Sequence, residues 1–168
     1  MTRGGATADV GSDRSPAIPA GLNRIVADCV VLRDVAQVAC WRLPPDDAGE
    51  IAGLLRRLAS LLDDTAWHGA ARTRALGESP EADLAALVQL SSYAPGADEA
   101  LSAASTLSMA ALAVAGDFRT LEKRALDSGD EVTARLLFTT GSGLEESARR
   151  LWLAAWQPSG ADAGRDRP

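Results

Sequence analysis

The sequence predicts an all-α protein, a bundle of five to six helices built on an antiparallel helical hairpin. Apolar residues repeat with helical spacing along two long segments, 22–43 and 51–76. Proline, glycine and capping residues separate these segments from their neighbours. Strand-forming residues never gather in an alternating run, and aromatic residues make up only 4% of the 168 residues.

The first predicted helix covers residues 20–43. Its apolar residues recur at steps of three and four, which places them on one stripe with the repeat of helices packed side by side; they are Leu22, Ile25, Cys29, Leu32, Ala36, Ala39 and Leu43. Val31, Val35 and Val38 lie on a second face of the same helix. We therefore expect the helix to be covered from more than one side, by other helices or by a second copy of the protein.

The second predicted helix follows Pro44-Pro45, which cannot continue the first. Asp47 and Glu50 have the spacing of a capping box, and Gly77 suits the position just beyond a helix end, so this helix runs to about Leu76. Its stripe is Ile51, Leu55, Leu58, Leu62, Thr65 and Gly69. Two long helices joined by a short link form an antiparallel hairpin.

Four further segments complete the predicted bundle. A third helix spans 80–93, a fourth begins after Asp98 and ends at Ala115, a fifth spans 118–126, and the last spans 131–156. Gly141-Ser142-Gly143 lies in the middle of the last segment, and the sequence leaves open whether the helix breaks there.

Composition predicts one domain at 18–157, flanked by disordered tails at 1–17 and 158–168. We expect no secretion signal, because residues 1–16 are polar and glycine-rich, and no membrane span, because the apolar window at 100–115 is shorter than the roughly 20 residues that a span needs. Cys29 and Cys40 lie roughly 16 Å apart along one helix, too far for a disulfide. They are typical of small buried residues in a reducing cytoplasm, where we place the protein.

The formal net charge is −6, and Lys123 is the only lysine beside sixteen arginines. The arginine bias, together with much alanine, suggests a GC-rich genome such as an actinobacterium's. An acidic balance opposes attraction to nucleic acid, and each arginine pair has acidic residues nearby, so we expect no nucleic-acid partner.

His68 is the only histidine, and Asp64 lies one helical turn before it. The two are weak candidates for a catalytic acid–base pair. A zinc site needs three or four ligands, and a di-iron bundle needs Glu-x-x-His motifs on two helices together with further glutamates. The chain contains no Glu-x-x-His, so we expect neither a metal nor a cofactor.

Four of the seven aromatic residues are tryptophans. Trp152 and Trp156 lie one turn apart near the end of the last helix, and Trp41 and Trp67 lie towards the ends of the first two. Such residues either cap the core, anchor a partner or line an apolar pocket.

These observations predict a non-enzymatic protein-protein interaction or assembly protein that associates with itself as a homodimer, or with a protein partner. Its interface or ligand residues would be Val31, Val35, Val38, Trp41, Trp67, Trp152 and Trp156. One alternative is a binding module for an apolar small molecule held between helices near the tryptophans. A second alternative is an enzyme that uses Asp64 and His68 as its acid–base pair.

Overall fold

A computed structural model of the chain describes residues 17–43, 49–93 and 100–156. Its five helices are α1 (Ala17–Arg42), α2 (Glu50–Ala75), α3 (Leu84–Leu90), α4 (Ala100–Asp127) and α5 (Glu131–Trp156). No strand occurs within these ranges, and the predicted all-α bundle is confirmed.

Several predicted features lie outside the described residues. They are the two tails, apart from Ala17, together with the link at 44–48 and the cap at Asp98. The first helix begins three residues earlier than predicted, with Pro19 in its first turn, where a proline costs no hydrogen bond.

The two opening helices pack antiparallel, as predicted. Gly69, near the end of α2, lies against Val26, near the start of α1. Arg33 forms an ion pair with Asp63 farther along both helices. The hairpin is therefore confirmed, and heptad-spaced leucines on both helices face the same core.

The other neighbouring long helices are antiparallel as well. Gly21 of α1 lies against Leu121 near the end of α4, and Arg72 near the end of α2 pairs with Asp130 just before α5. Gly129, with φ of 76°, makes the tight turn between α4 and α5. It follows that α2 and α4 run in the same direction and are joined by a crossover, of which residues 76–93 are described.

This crossover packs on the first half of α1. The backbone N–H of Glu81 donates to the Asn23 side chain at 3.4 Å, and Arg24 donates to the Ser92 hydroxyl at 2.9 Å. The prediction of a second covered face on α1 is thus met in part by the chain itself. Of the three valines on that face, Val31 is buried, Val35 is half-buried and Val38 is exposed.

The third helix is shorter than the predicted segment 80–93. Its N-cap is Asp83, whose side chain accepts from the backbone N–H of Ala85 at 3.2 Å. Ser91 ends it in an extended conformation and directs the chain back to α1.

The predicted boundary between a fourth helix ending at Ala115 and a fifth at 118–126 is wrong. A single helix, α4, continues through Gly116 and Asp117, both of which are exposed. The helix continues because Val114, Phe118 and Leu121 extend one buried stripe across this point. Their burial outweighs the weak helix propensity of glycine.

The glycines at 141 and 143 do not break α5, which settles the alternative that the sequence left open. A Cβ added at Gly141 would lie 3.1 Å from the Cβ of Phe118 on α4. Glycine is thus needed at 141 for the close approach of two helices and not for a turn.

This geometry predicts opposite effects for two neighbouring substitutions. Gly143→Ala should stabilise the fold by about 0.5–1 kcal/mol through helix propensity, since the added Cβ would meet only the Leu61 methyls, at 3.7 and 3.8 Å. Gly141→Ala should destabilise it by about 1 kcal/mol net, because the Phe118 Cβ can yield only if α4 moves. Urea unfolding followed by circular dichroism measures both, and equal stabilisation by the two alanines would contradict this packing.

Candidate functional site

The outer face of the α1–α2 hairpin carries two exposed tryptophan rings. Trp41 is 78% exposed and Trp67 is 74% exposed. The pairing of Arg33 with Asp63 fixes the register of the two helices. In that register Trp41 and Trp67 lie at opposite ends of the face, about 18 Å apart along the helix axes.

A recess of about 400 Å³ opens between α1 and α2 beside Trp41. Its lining is Gln37, Cys40, Trp41, Ala52, Arg56 and Ala59. The Cys40 thiol donates to the carbonyl oxygen of Ala52 at 3.6 Å. Burial raises the pKa of Cys40, and the nearby Arg56 only partly opposes this, so the thiol stays protonated at neutral pH.

The middle of the same face is polar. Arg33 donates to Asp63 at 2.6 Å and to Asp34 at 2.9 Å. The hydrogen bond to Asp63, more than any other contact, raises the pKa of Arg33. Both carboxylates are well exposed, so these pairs orient the side chains and add little stability.

The geometry does not support an acid–base pair of Asp64 and His68. The His68 Nδ1 atom lies 2.7 Å from the backbone carbonyl oxygen of Asp64, and a carbonyl can only accept, so that nitrogen donates. His68 also borders a second recess, of about 570 Å³, together with Glu131 and Arg135 at the start of α5. The imidazole is thus directed by the main chain of its own helix.

Trp152 and Trp156 stack with their ring centroids 5.8 Å apart and their planes at 13°. They lie on the surface, with Trp156 74% exposed, while the neighbouring Leu151 fills the core. Because α1 and α5 end at the same end of the bundle, this stack is closer to Trp41 than to Trp67.

Asp28 is a buried carboxylate that the sequence analysis missed. Its Oδ1 accepts from the backbone N–H of Ser92 at 2.6 Å and from the Ser91 hydroxyl at 2.9 Å. Its Oδ2 has no hydrogen-bond partner within the described residues. One signal was available: Asp28 is the only charged residue between Ile25 and Leu32, a strongly apolar stretch of the first helix.

Burial raises the pKa of Asp28, and the hydrogen bonds from Ser92 and Ser91 oppose this only in part. The folded protein therefore holds this proton more tightly than the unfolded chain does. The stabilisation that Asp28 contributes is therefore complete at pH values below its ordinary pKa of 3.8. It is lost as the pH rises through the higher, folded-state pKa. The carboxylate ties the crossover to α1.

Within 17–43, 49–93 and 100–156, no group of three histidine, cysteine, aspartate or glutamate residues is placed to hold a metal ion. No helix in the same ranges is long and apolar enough to cross a membrane. Of the predicted interface or ligand residues, Val31 is buried and Val35 is half-buried. The exposed ones are Val38, Trp41 and Trp67 on the first two helices, and Trp152 and Trp156 on α5.

Solved structures that resemble the chain include Dps proteins and the antigen TpF1. A Dps protein from Bacillus brevis has a TM-score of 0.74 and 26% identity over 80% of this chain and 92% of its own. Antigen TpF1 from Treponema pallidum has a TM-score of 0.79 and 20% identity over 88% of this chain and 100% of its own. Dps from Staphylococcus aureus has the same TM-score and coverage at 15% identity. No protein-family model matches the chain, and no curated protein matches its sequence.

The function predicted from the sequence, a non-enzymatic interaction or assembly protein, is wrong. The structural neighbours are ferritin-like proteins, and neither an apolar-ligand module nor an Asp64–His68 enzyme accounts for that likeness. The architecture of this chain, four long antiparallel helices with a crossover that carries a short helix, is the ferritin-like four-helix bundle of the Dps proteins.

Proposed function

We propose that the protein is a ferritin-like iron-storage protein whose subunits assemble into a homo-oligomeric shell. The observation that supports this is the likeness to Dps structures, which extends over 80–88% of this chain and nearly the full length of theirs. The chain also has a long crossover between α2 and α4, a feature of ferritin-like bundles. We place the shell in the cytoplasm, the compartment that two free cysteines favour.

Iron in this proposal is cargo of the shell, because one subunit does not fit an internal di-iron centre. Such a centre needs inward-facing glutamates on four helices, two of them in Glu-x-x-His motifs. Among the described residues the buried polar side chains are Asp28, Thr65, Thr73, Ser108 and Thr133, with a single carboxylate. That carboxylate contacts the crossover, so we assign no iron-oxidation step to these residues.

The acidic balance of the chain supports cation uptake. A net charge of −6 on each subunit gives an assembled shell a strongly negative potential, which raises the local concentration of cations such as Fe²⁺. The same potential repels the phosphate backbone, and we expect no DNA partner at physiological salt.

Iron loading of the full chain tests the proposal. The purified protein is exposed to ferrous iron in air and desalted, and the iron bound per subunit is measured alongside the mass from light scattering. We expect a mass many times the 17.5 kDa of one chain, with iron that elutes with the protein. Unfolded chain at the same concentration is the matched control, since it keeps the charge and loses the shell.

An assembly that retains no more iron than the unfolded control would overturn the storage function. The rate at which ferrous iron disappears gives a second readout. We expect it to equal the protein-free rate, because the described residues lack a ligand cluster. Rapid oxidation would show that iron chemistry takes place at a centre this proposal does not include.

A further inference from the structure

The Asp28 carboxylate joins the crossover to α1 through only one of its two oxygens. The side chain is 1% exposed, and its Oδ1 accepts both the backbone N–H of Ser92, at 2.6 Å, and the hydroxyl of Ser91, at 2.9 Å. Its Oδ2 is enclosed and has no hydrogen-bond partner among the described residues. Iron storage as proposed above makes no use of this group, so its burial calls for a separate explanation.

The unpartnered oxygen is the place where a proton can reside. A proton on Oδ2 makes the carboxyl group neutral and leaves both hydrogen bonds to Oδ1 intact, because each of them needs only an accepting oxygen. Without that proton, the negative charge is shared by an enclosed oxygen that no donor among the described residues contacts, which is costly. The closed crossover therefore favours the neutral form of Asp28.

Four titratable groups of the described chain interact with Asp28. Burial raises the pKa values of Cys29 on α1 and Tyr93 on the crossover, so both stay neutral while the carboxyl group of Asp28 titrates. Arg24 on α1 lowers the pKa of Asp28, and Asp117 on α4 raises it. Because these two charges have opposite signs and are both exposed, neither replaces the missing partner of Oδ2.

The crossover is the element that can move to relieve an ionised Asp28. Its helix, α3, has seven residues, and Leu87 is the buried one. The hydrogen bond from the Glu81 N–H to the side chain of Asn23 is long, at 3.4 Å. Local opening of a segment with so little burial costs less free energy than unfolding the bundle. Opening would also admit water to Oδ2.

We propose that Asp28 is a proton-operated latch: with a proton on Oδ2 it holds the crossover closed on α1, and loss of that proton releases the crossover while the four long helices stay packed. The open form binds the proton with the ordinary pKa of 3.8, and the closed form binds it more tightly. Closure is thus complete below pH 3.8 and weakens between that pH and the folded-state pKa. The latch goes beyond iron storage and operates in the iron-free protein.

Hydrogen–deuterium exchange of the full, iron-free chain over a range of pH tests the latch. Mass spectrometry follows peptides from the crossover, within 77–93, and each rate is corrected for the chemical exchange rate at that pH. Above pH 3.8 the protection of the crossover should fall about tenfold per pH unit, the slope for one released proton, and then level off at the folded-state pKa.

Peptides from α2 and α5 report global unfolding in the same samples. They should stay more protected than the crossover at every pH. Low concentrations of urea should accelerate their exchange and leave that of the crossover unchanged, because local opening exposes little surface. Exchange of the crossover and α2 at one common, urea-sensitive rate would show that the crossover opens only with the whole fold, and would overturn the latch.

Asp28→Asn is the matched variant, because its amide keeps an accepting oxygen for Ser91 and Ser92 and is neutral at every pH. The protection of its crossover should no longer depend on pH. A slope like that of the wild type in Asp28→Asn, or no slope in the wild type, would mean that another group controls the crossover or that none does.

Asp117→Asn tests the electrostatics without removing a hydrogen bond to Asp28, and it decides the matter if Asp28→Asn does not fold. The Asp117 carboxylate raises the pKa of Asp28, so the protection of the crossover should level off at a lower pH in this variant. Asp127→Asn, at an exposed position ten residues farther along α4, should leave the profile unchanged. An unchanged profile in Asp117→Asn would contradict the latch. Loss of iron retention alone would overturn only the storage function.

Discussion

Phe118→Ala is expected to destabilise the fold by about 3–5 kcal/mol, the usual cost of deleting a buried aromatic ring. Phe118 is 2% exposed and is among the largest fully enclosed side chains in the described residues. Its side chain lies against Gly141, where α4 and α5 pack closely. The alanine leaves a cavity that two tightly packed helices cannot close. Urea unfolding with linear extrapolation measures the loss.

Phe138→Ala is the matched control, because it removes the same atoms as Phe118→Ala but from a position that is 62% exposed. We expect its free energy of unfolding to change by no more than about 0.5 kcal/mol. Comparable losses from both variants would show that the α4–α5 contact is not the centre of the core.

Asp130→Ala is expected to destabilise the fold by about 2–3 kcal/mol, from the lost helix cap and a charge-assisted hydrogen bond. The Asp130 Oδ1 accepts from the backbone N–H of Thr133 at 3.0 Å and from Arg72 at 2.7 Å. Its Oδ2 accepts from the Thr133 hydroxyl at 2.5 Å. The carboxylate thus caps the N-terminus of α5 and links it, through Arg72, to the end of α2. Asp127→Ala, at an exposed position with no ion pair in the described chain, should change little by comparison.

The pH dependence of this effect has a definite sign. Burial alone would raise the pKa of Asp130, but the hydrogen bonds from Thr133 and Arg72 together outweigh it and lower the pKa below 3.8. The stabilisation is therefore complete above pH 3.8 and is lost as the pH falls through the lower, folded-state pKa. The stability gap between wild type and Asp130→Asn should narrow over that acidic range in urea titrations. A gap that stayed constant with pH would mean that the charge of Asp130 contributes nothing.

The hairpin of α1 and α2 could be predicted because its information is local. The leucines of 51–62 and the apolar stripe of 22–43 each specify one helix and one buried face. The continuity of α4 could not be predicted, because in the sequence Gly116 resembles a helix boundary. Only the structure shows that Phe118 packs against α5 in the core. Asp28 was missed for a similar reason, since its partners Ser91 and Ser92 lie more than sixty residues away.

The candidate site was predictable as a set of residues and not as an arrangement. Trp41 and Trp67 were identified from sequence as interface or ligand residues, but their common face depends on the register set by Arg33 and Asp63. The ferritin-like fold was hidden because the motif that would have signalled it, Glu-x-x-His, is missing from the chain. Helix packing and the crossover preserve the fold where identity is only 15–26%.

The antiparallel order of neighbouring long helices has an electrostatic consequence. Each end of the bundle gathers the amino termini of two long helices and the carboxyl termini of the other two. The partial charges of about half an elementary unit at these termini offset one another, so neither pole of the subunit attracts anions through its backbone. The long-range field of the subunit is then set by its side chains, whose formal net charge of −6 attracts small cations.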